Sequence, residues 1–143
     1  MLGSRIAKSF IKKYDVRAYN KKTFDVTDEK RVNKIINREH PDVIVHTAAN
    51  TDAEYCERNP ELTYLINTTG TENIVNTLLK NKIDTLMVYI SSTGVYGNSK
   101  DDAYIENDEC KPTTIHHKSK YYAEKLVQSL DRYLIIRTGW LFG

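Results

Sequence analysis

The stretch Tyr89-Ile-Ser-Ser-Thr-Gly-Val-Tyr-Gly97 carries the most information about the fold of this chain. It contains the end of an apolar strand, predicted over Leu86–Ser91, followed by a polar turn with two glycines. In open sheets of parallel strands, ligands bind beyond the carboxyl ends of the strands. The end of this strand is therefore the expected position of a ligand site.

Other apolar or β-branched runs flank this strand and alternate with segments of helical period. They predict strands over Val16–Tyr19, near Thr23–Val26, over Val43–Thr47 and over Tyr133–Arg137. The run Val43–Thr47 is apolar almost without interruption, as expected for a strand that is covered on both faces. Because strands alternate with helices, the sequence predicts an α/β fold with a doubly wound parallel sheet.

Two predicted helices have recognisable starts. One begins at Thr27 or Asp28, whose side chains can accept hydrogen bonds from free N–H groups, and its apolar stripe consists of Val32, Ile35 and Ile36. A longer helix begins near Pro60, a residue suited to a first turn, and its apolar side consists of Leu62, Ile66, Gly70, Ile74 and Leu78. Farther along, Gly97–Pro112 is a polar, acidic loop, long enough to act as a functional flap.

Composition excludes several classes of function. The 143 residues predict one domain, and the net charge of +2 with scattered basic residues argues against nucleic-acid binding. Cys56 and Cys110 have no metal-ligand spacing and no disulfide-scaffold density, so we expect two ordinary thiols in a reducing compartment and no metal site. No apolar run approaches the ~18 residues of a membrane span, and no signal peptide is recognisable. We therefore expect a cytoplasmic protein without membrane contact, with a homodimer left open.

Seven motifs occur in an order similar to that of the extended short-chain dehydrogenase/reductase superfamily. Within it the chain resembles the dTDP-4-dehydrorhamnose reductase (RmlD-like) branch of sugar-nucleotide reductases. The motifs are Phe24-Asp-Val-Thr-Asp28, Pro41-Asp-Val-Ile-Val-His-Thr-Ala-Ala-Asn-Thr51, Asn59-Pro-Glu-Leu62, Ile66-Asn67, Ile90-Ser-Ser-Thr-Gly-Val-Tyr-Gly97, Ser119-Lys120 and Arg137-Thr-Gly-Trp-Leu-Phe-Gly143. Together they cover nearly the whole chain.

The resemblance implies that residues 1–143 form a partial NAD(P)-binding Rossmann-like domain. Gly3 matches the last glycine of the family's Gly-x-x-Gly-x-x-Gly turn, so the first strand of the family is expected to be missing from the middle of the sheet, between Val16–Tyr19 and Val43–Thr47. The chain stops at Gly143, where the family continues into its sugar-nucleotide lobe. Two alternatives follow: a fragment of a longer protein, or a degenerate reading frame that binds little.

The resemblance also implies a catalytic group. Reduction of a ketone by hydride needs a hydrogen-bond donor to the oxygen and an acid that delivers a proton. Ser92 matches the family's donor, and Lys120 matches the lysine that contacts the nicotinamide ribose. The family's tyrosine, four residues before the lysine, is His116 here. We predict that His116, or His117 after a small rotation, donates the proton with the help of water; the alternative is two polar residues without a catalytic role.

The remaining implied site residues concern the cofactor and the substrate. The residues matched to cofactor binding are Gly3, Asp25, Val26, Ala48, Ala49, Asn50, Asn67 and Lys120. Those matched to the sugar nucleotide are Thr51, Thr93 and Trp140, although Trp140 could instead belong to the core. The run Tyr19-Asn-Lys-Lys22 has no carboxylate to bind a ribose 2′-hydroxyl and carries two lysines, which favours NADP over NAD without excluding NAD.

Three functions are compatible with this pattern. The first is NAD(P)-dependent reduction of the 4-keto group of a nucleotide-linked deoxysugar in cell-surface polysaccharide synthesis. The second is a non-catalytic NADP-binding regulatory subunit, which would tolerate the loss of the tyrosine. The third is a sugar-nucleotide epimerase or dehydratase, because Val95-Tyr-Gly97 is similar across those branches too.

Overall fold

The computed structural model describes residues 2–141, which form a three-stranded parallel sheet with helices. The helices are α1 (Leu2–Phe10), α2 (Glu29–Glu39), α3 (Ala53–Arg58), α4 (Pro60–Tyr64), α5 (Gly70–Asn81) and α6 (Ile115–Val127), and the strands are β1 (Val43–His46), β2 (Leu86–Ser92) and β3 (Tyr133–Thr138). The strand order is β1-β2-β3, with Val45 opposite Val88 and Tyr89 opposite Ile135. This architecture confirms the predicted Rossmann-like α/β class.

The core lies between one face of the sheet and helices α2, α5 and α6. Its buried members from these elements are Val32, Ile36, Ile74, Val75, Leu78, Met87, Tyr89, Ala123 and Val127. The residues of β2 alternate between half-buried and buried positions, as expected because successive side chains of a strand point to opposite faces of the sheet. One face of β2 therefore contributes to the core. On β1 and β3, the apolar residues Val43, Leu134 and Ile136 are exposed. The expectation that β1 is covered on both faces is therefore wrong for this chain.

Three of the five predicted strands are confirmed to within one residue at each end: Val43–Thr47, Leu86–Ser91 and Tyr133–Arg137. The prediction of strands at Val16–Tyr19 and Thr23–Val26 is wrong. Residues 15–20 adopt no regular secondary structure, and β1 pairs only with β2 within residues 2–141. The second segment begins in a turn, because the N–H groups of Thr23 and Phe24 both donate to the carbonyl of Asn20, at 3.0 and 2.7 Å.

The predicted helix starts are confirmed. Asp28 caps α2 by accepting a hydrogen bond from the backbone N–H of Arg31 at 3.0 Å. Pro60 begins α4, and the helical path continues to Asn81 through a π-helical turn over Leu65–Thr69. Among the described residues, no helix is both long enough and apolar enough to cross a bilayer.

The predicted flap, Gly97–Pro112, contains no helix or strand. Contacts of Tyr104 stabilise its conformation. The Tyr104 hydroxyl oxygen accepts hydrogen bonds from the backbone N–H groups of Ser99 and Lys100, at 2.8 and 3.2 Å. Its ring stacks on Tyr96 with 4.8 Å between centroids, and the guanidinium of Arg137 lies 4.7 Å from the centre of the Tyr96 ring. The flap therefore has a defined conformation over the end of β3.

Candidate active site

The candidate catalytic side chains meet beyond the carboxyl edge of the sheet. Ser92 ends β2, Asn50 lies shortly after β1, and Trp140 follows β3. The first turns of α6 bring His116, His117 and Lys120 to the same edge. This is the edge at which open parallel sheets bind their ligands.

Ser92 occupies a half-buried position at the end of its strand. Its Oγ accepts a hydrogen bond from the backbone N–H of Gly94 at 3.2 Å, which caps the 3-10 turn Thr93–Tyr96. Because that bond uses an oxygen lone pair, the hydroxyl hydrogen remains able to donate to a ligand. The cap therefore leaves in place the hydrogen that the predicted donor role requires.

Lys120 is a buried cation without a carboxylate partner of its own in residues 2–141. Its Nζ lies 4.1 Å from the centre of the Tyr89 ring, and 4% of the residue is exposed. Burial lowers the pKa of Lys120 to about 7, while Glu124 acts in the opposite direction. Glu124 is itself engaged by Arg137, with Nη2 to Oε2 at 2.8 Å and Nε to Oε1 at 3.1 Å. The ammonium is therefore held by an aromatic face and close to losing its proton at neutral pH.

The two histidines differ in their surroundings. His116 Nε2 is buried and finds no hydrogen-bond partner among the described residues. Burial, with His117 and Lys120 adding positive charge, lowers the pKa of His116 to about 4, so this ring is neutral at pH 7. His117 Nδ1 lies 2.9 Å from Thr114 Oγ1, and its ring packs against Gly94. Burial also lowers the pKa of His117, but Glu57 raises it.

Asn67 joins the loop after β1 to helix α6. The side chain is fully buried in the π-helical turn, where its Oδ1 accepts from Asn50 N at 2.7 Å. Its Nδ2 donates to Asn50 O at 3.0 Å and to Ser119 Oγ at 2.9 Å. Ser119 Oγ in turn donates to the carbonyl of His116 at 2.7 Å. One amide therefore fixes the relative position of two segments that carry predicted site residues.

Three buried polar side chains next to Lys120 are not among the predicted site residues: His46, Thr71 and Tyr89. Thr71 Oγ1 donates to the carbonyl of Asn67 at 2.8 Å and lies 3.1 Å from His46 Nε2, so His46 carries its ring hydrogen on Nε2. Burial, with Lys120 adding to it, lowers the pKa of His46 to about 3, which keeps the ring neutral. The Tyr89 hydroxyl is buried with no partner meeting hydrogen-bond geometry in the described part of the chain, and burial raises its pKa.

The residues predicted to contact the cofactor differ in their surroundings. A Cβ on Gly3 would approach Thr47 Oγ1 to 2.6 Å, so this glycine allows α1 to approach the end of β1. Asp25 accepts from the backbone N and the hydroxyl of Thr27, at 3.0 and 2.8 Å, and these bonds lower the pKa of its carboxyl. Val26 is core, 6% exposed. Ala48 is exposed and Ala49 half-buried.

The residues predicted to contact the sugar nucleotide are open to solvent. Thr51 and Thr93 are exposed, and Trp140 is 91% exposed, so the alternative of a core tryptophan is wrong. Phe142 and Gly143, the end of the last motif, lie outside the described residues. Within the described range, no group of three or more His, Cys, Asp and Glu side chains is arranged to hold a metal ion.

A basic groove lies beside the turn that follows residue 19. Asn20 Oδ1 accepts from Lys22 N at 2.9 Å, which holds Lys21 and Lys22 on an exposed turn. The adjoining groove, of about 440 Å³, is lined by Tyr19, Thr23, Asp28, Lys30, Arg31, Lys34, Ile35 and Arg38. Positive charge therefore accumulates on this side of α2.

A parallel sheet with a serine, a lysine and small residues at its carboxyl edge defines a Rossmann-like domain of the short-chain dehydrogenase/reductase type. The sequence profile of the RmlD substrate-binding domain matches residues 1–143, so the chain belongs to this family.

Curated relatives include a spore coat polysaccharide biosynthesis protein, SpsK, of Bacillus subtilis. It is 33% identical over 131 residues, which are 91% of this chain and 46% of the relative. A dTDP-4-dehydrorhamnose reductase of Salmonella typhimurium is 32% identical over 120 residues, covering 83% of this chain and 40% of that protein. The chain thus spans about half the length, or less, of the curated relatives it matches.

Solved structures are similar over the same extent. The dTDP-4-dehydrorhamnose reductase of Bacillus anthracis, solved in complex with NADP, has a TM-score of 0.92 at 30% identity and covers 99% of this chain and 50% of that one. The ortholog from Clostridium acetobutylicum has a TM-score of 0.93 at 31% identity, covering 99% and 51%.

Proposed function

We propose that this chain carries the cofactor-binding and catalytic part of a sugar-nucleotide reductase. The substrate is the 4-keto group of a nucleotide-linked deoxysugar of the dTDP-4-dehydrorhamnose kind, and the product serves cell-surface polysaccharide synthesis in the cytoplasm. The observation that carries the proposal is the meeting of Ser92 with the start of α6 and Lys120 at the carboxyl edge of the sheet. The names of the curated relatives are consistent with it.

The residues present fit a dinucleotide. Ala48 and Ala49 leave room for close approach to the backbone after β1, and Lys120 offers a cation that no carboxylate among residues 2–141 neutralises directly. Lys21, Lys22 and the basic groove on α2 favour a 2′-phosphate, and therefore NADP over NAD. When bound, NADPH supplies the hydride. Ser92 then donates a hydrogen bond to the ketone oxygen as negative charge develops on it.

A specific observation also favours the second candidate, a non-catalytic NADP-binding subunit. The family's tyrosine position holds His116, whose pKa is about 4. The ring is therefore neutral at pH 7, and a neutral imidazole is a poor proton donor. Such a subunit would bind NADPH and leave the ketone unreduced.

Turnover separates the two candidates. Oxidation of NADPH is followed by absorbance with dTDP-4-dehydrorhamnose as substrate. We expect Ser92→Ala to lower kcat by about 10²-fold, the usual effect of removing one oxyanion donor. Ser91→Ala is the matched control, because its buried hydroxyl has no hydrogen-bond partner in the described residues. NADPH binding without any turnover would support the regulatory subunit instead.

A further inference from the structure

The His117 ring lies against the turn that carries Ser92. A Cβ added to Gly94 would come within 2.2 Å of both Cε1 and Nε2 of His117, and within 2.5 Å of Cδ2. The N–H of the same glycine donates to Ser92 Oγ. The Cε1–Nε2–Cδ2 edge of the imidazole therefore lies next to the turn that follows Ser92. It occupies the space that a side chain at position 94 would need.

Thr114 orients this ring. Its Oγ1 accepts from the backbone N–H of His117 at 3.2 Å and lies 2.9 Å from Nδ1. Since one lone pair already accepts the backbone hydrogen, the hydroxyl hydrogen is free to donate to Nδ1 of the neutral ring. The ring hydrogen is then on Nε2, at the edge that faces Gly94.

The charges around the two histidines favour His117 as the acid. Glu57 on α3, whose Oε1 accepts from Ile115 N at 2.7 Å, raises the pKa of His117 and offsets part of the lowering by burial. His116 also faces His117, with 5.0 Å between the ring centroids. For His116 burial, His117 and Lys120 all lower the pKa. Protonation at neutral pH is therefore less costly on His117.

We propose that His117, not His116, donates the proton in the reduction, next to Ser92. The inference rests on the proposed function. In this step the carbonyl carbon accepts hydride from NADPH while its C=O π bond breaks, and the oxygen takes the proton from Nε2 of the protonated ring. The ring left after the transfer carries its hydrogen on Nδ1, the opposite tautomer to the resting neutral ring, and the Thr114 hydroxyl rotates to accept that hydrogen. Water returns the lost proton to Nε2.

Proton NMR of the histidine Cε1–H signals tests the electrostatics without turnover. The signals are assigned with His→Gln variants, and the titration is repeated in Glu57→Gln, whose amide oxygen can still accept from Ile115 N. We expect His117 to titrate at higher pH than His116 and Glu57→Gln to lower the pKa of His117. We also expect added NADP⁺ with dTDP to shift the His117 signal. A His117 that titrates below His116, or is indifferent to these ligands, would overturn the proposal.

Turnover of dTDP-4-dehydrorhamnose with NADPH gives the second test. We expect His117→Gln to lose about 10²- to 10⁴-fold in kcat, as for a general acid, with NADPH affinity unchanged. The exposed His40, replaced by asparagine, is the matched control. Retained turnover in His117→Gln, with loss in His116→Gln, would overturn the proposal while leaving the reductase function in place. A wild-type chain that neither binds nor turns over would instead overturn the function, and the proposal with it.

Discussion

Replacement of Asn67 by alanine should loosen the connection between the loop after β1 and α6. The amide makes three hydrogen bonds, two to the backbone of Asn50 at 2.7 and 3.0 Å and one to Ser119 Oγ at 2.9 Å. At about 1 kcal/mol for each bond, the free energy of unfolding should fall by about 3 kcal/mol. The site is 1% exposed, so the space left behind adds to the loss.

Asn73→Ala is the matched control for this experiment. Asn73 is a buried asparagine of α5 whose side chain makes one hydrogen bond within residues 2–141, to the carbonyl of Val26 at 2.9 Å. Its loss should cost about 1 kcal/mol. Urea unfolding followed by far-UV circular dichroism gives both values. A loss for Asn67→Ala no larger than that for Asn73→Ala would mean that Asn67 does not join the two segments.

Three further predictions concern buried charges and close contacts. Because burial lowers the pKa of Lys120 from 10.5 to about 7, the unfolded chain binds a proton that the folded chain has released between those values. The free energy of unfolding should therefore rise with pH in that window, by up to about 1.4 kcal/mol per pH unit. Urea unfolding of wild type and Lys120→Met at several pH values measures this. If the free energy of unfolding changed equally with pH in both proteins, the prediction would be contradicted. Gly94→Ala should cost about 1–3 kcal/mol, because its Cβ meets the His117 ring, and a double-mutant cycle should show this cost disappearing in a His117→Ala background. Glu124→Gln should cost about 3 kcal/mol, measured by urea unfolding, because Arg137 loses its carboxylate; a loss near zero would mean that this pair contributes little to stability.

The parts of the fold that depend on local pattern could be predicted from the sequence. Apolar runs located the three strands, and Asp28 and Pro60 marked helix starts because capping and first-turn preferences are local properties. The strand predicted at Val16–Tyr19 failed because a strand needs a ladder partner, which its own sequence does not reveal. Similarly, the four-residue spacing after Leu62 predicts a helix but not the π-helical turn at Leu65–Thr69.

In the candidate site too, features that depend on local sequence could be predicted, and features that depend on tertiary packing could not. The apolar run could locate Ser92 at a strand end, and Lys120 could be singled out because its motif resembles the family's, while the catalytic roles of both residues stay predictions. The packing of His117 on Gly94 could not be predicted, because these residues meet only after α6 packs against the end of β2. The position of Tyr89 beneath Lys120 likewise depends on tertiary packing. Of these contacts, the one made by Thr114 could have been found from the sequence. A threonine three residues before His117, at the start of a helix, is a typical N-cap.

Calorimetric titration with NADPH shows directly whether this domain binds a dinucleotide. We expect saturable binding of NADPH, weaker binding of NADH, and loss of affinity in Lys120→Met, because the buried ammonium at the carboxyl edge of the sheet takes part in binding the dinucleotide. Absence of NADPH binding by a chain that unfolds cooperatively would contradict the claim that this domain binds a dinucleotide. Equal affinity in Lys120→Met would contradict the position assigned to the cofactor.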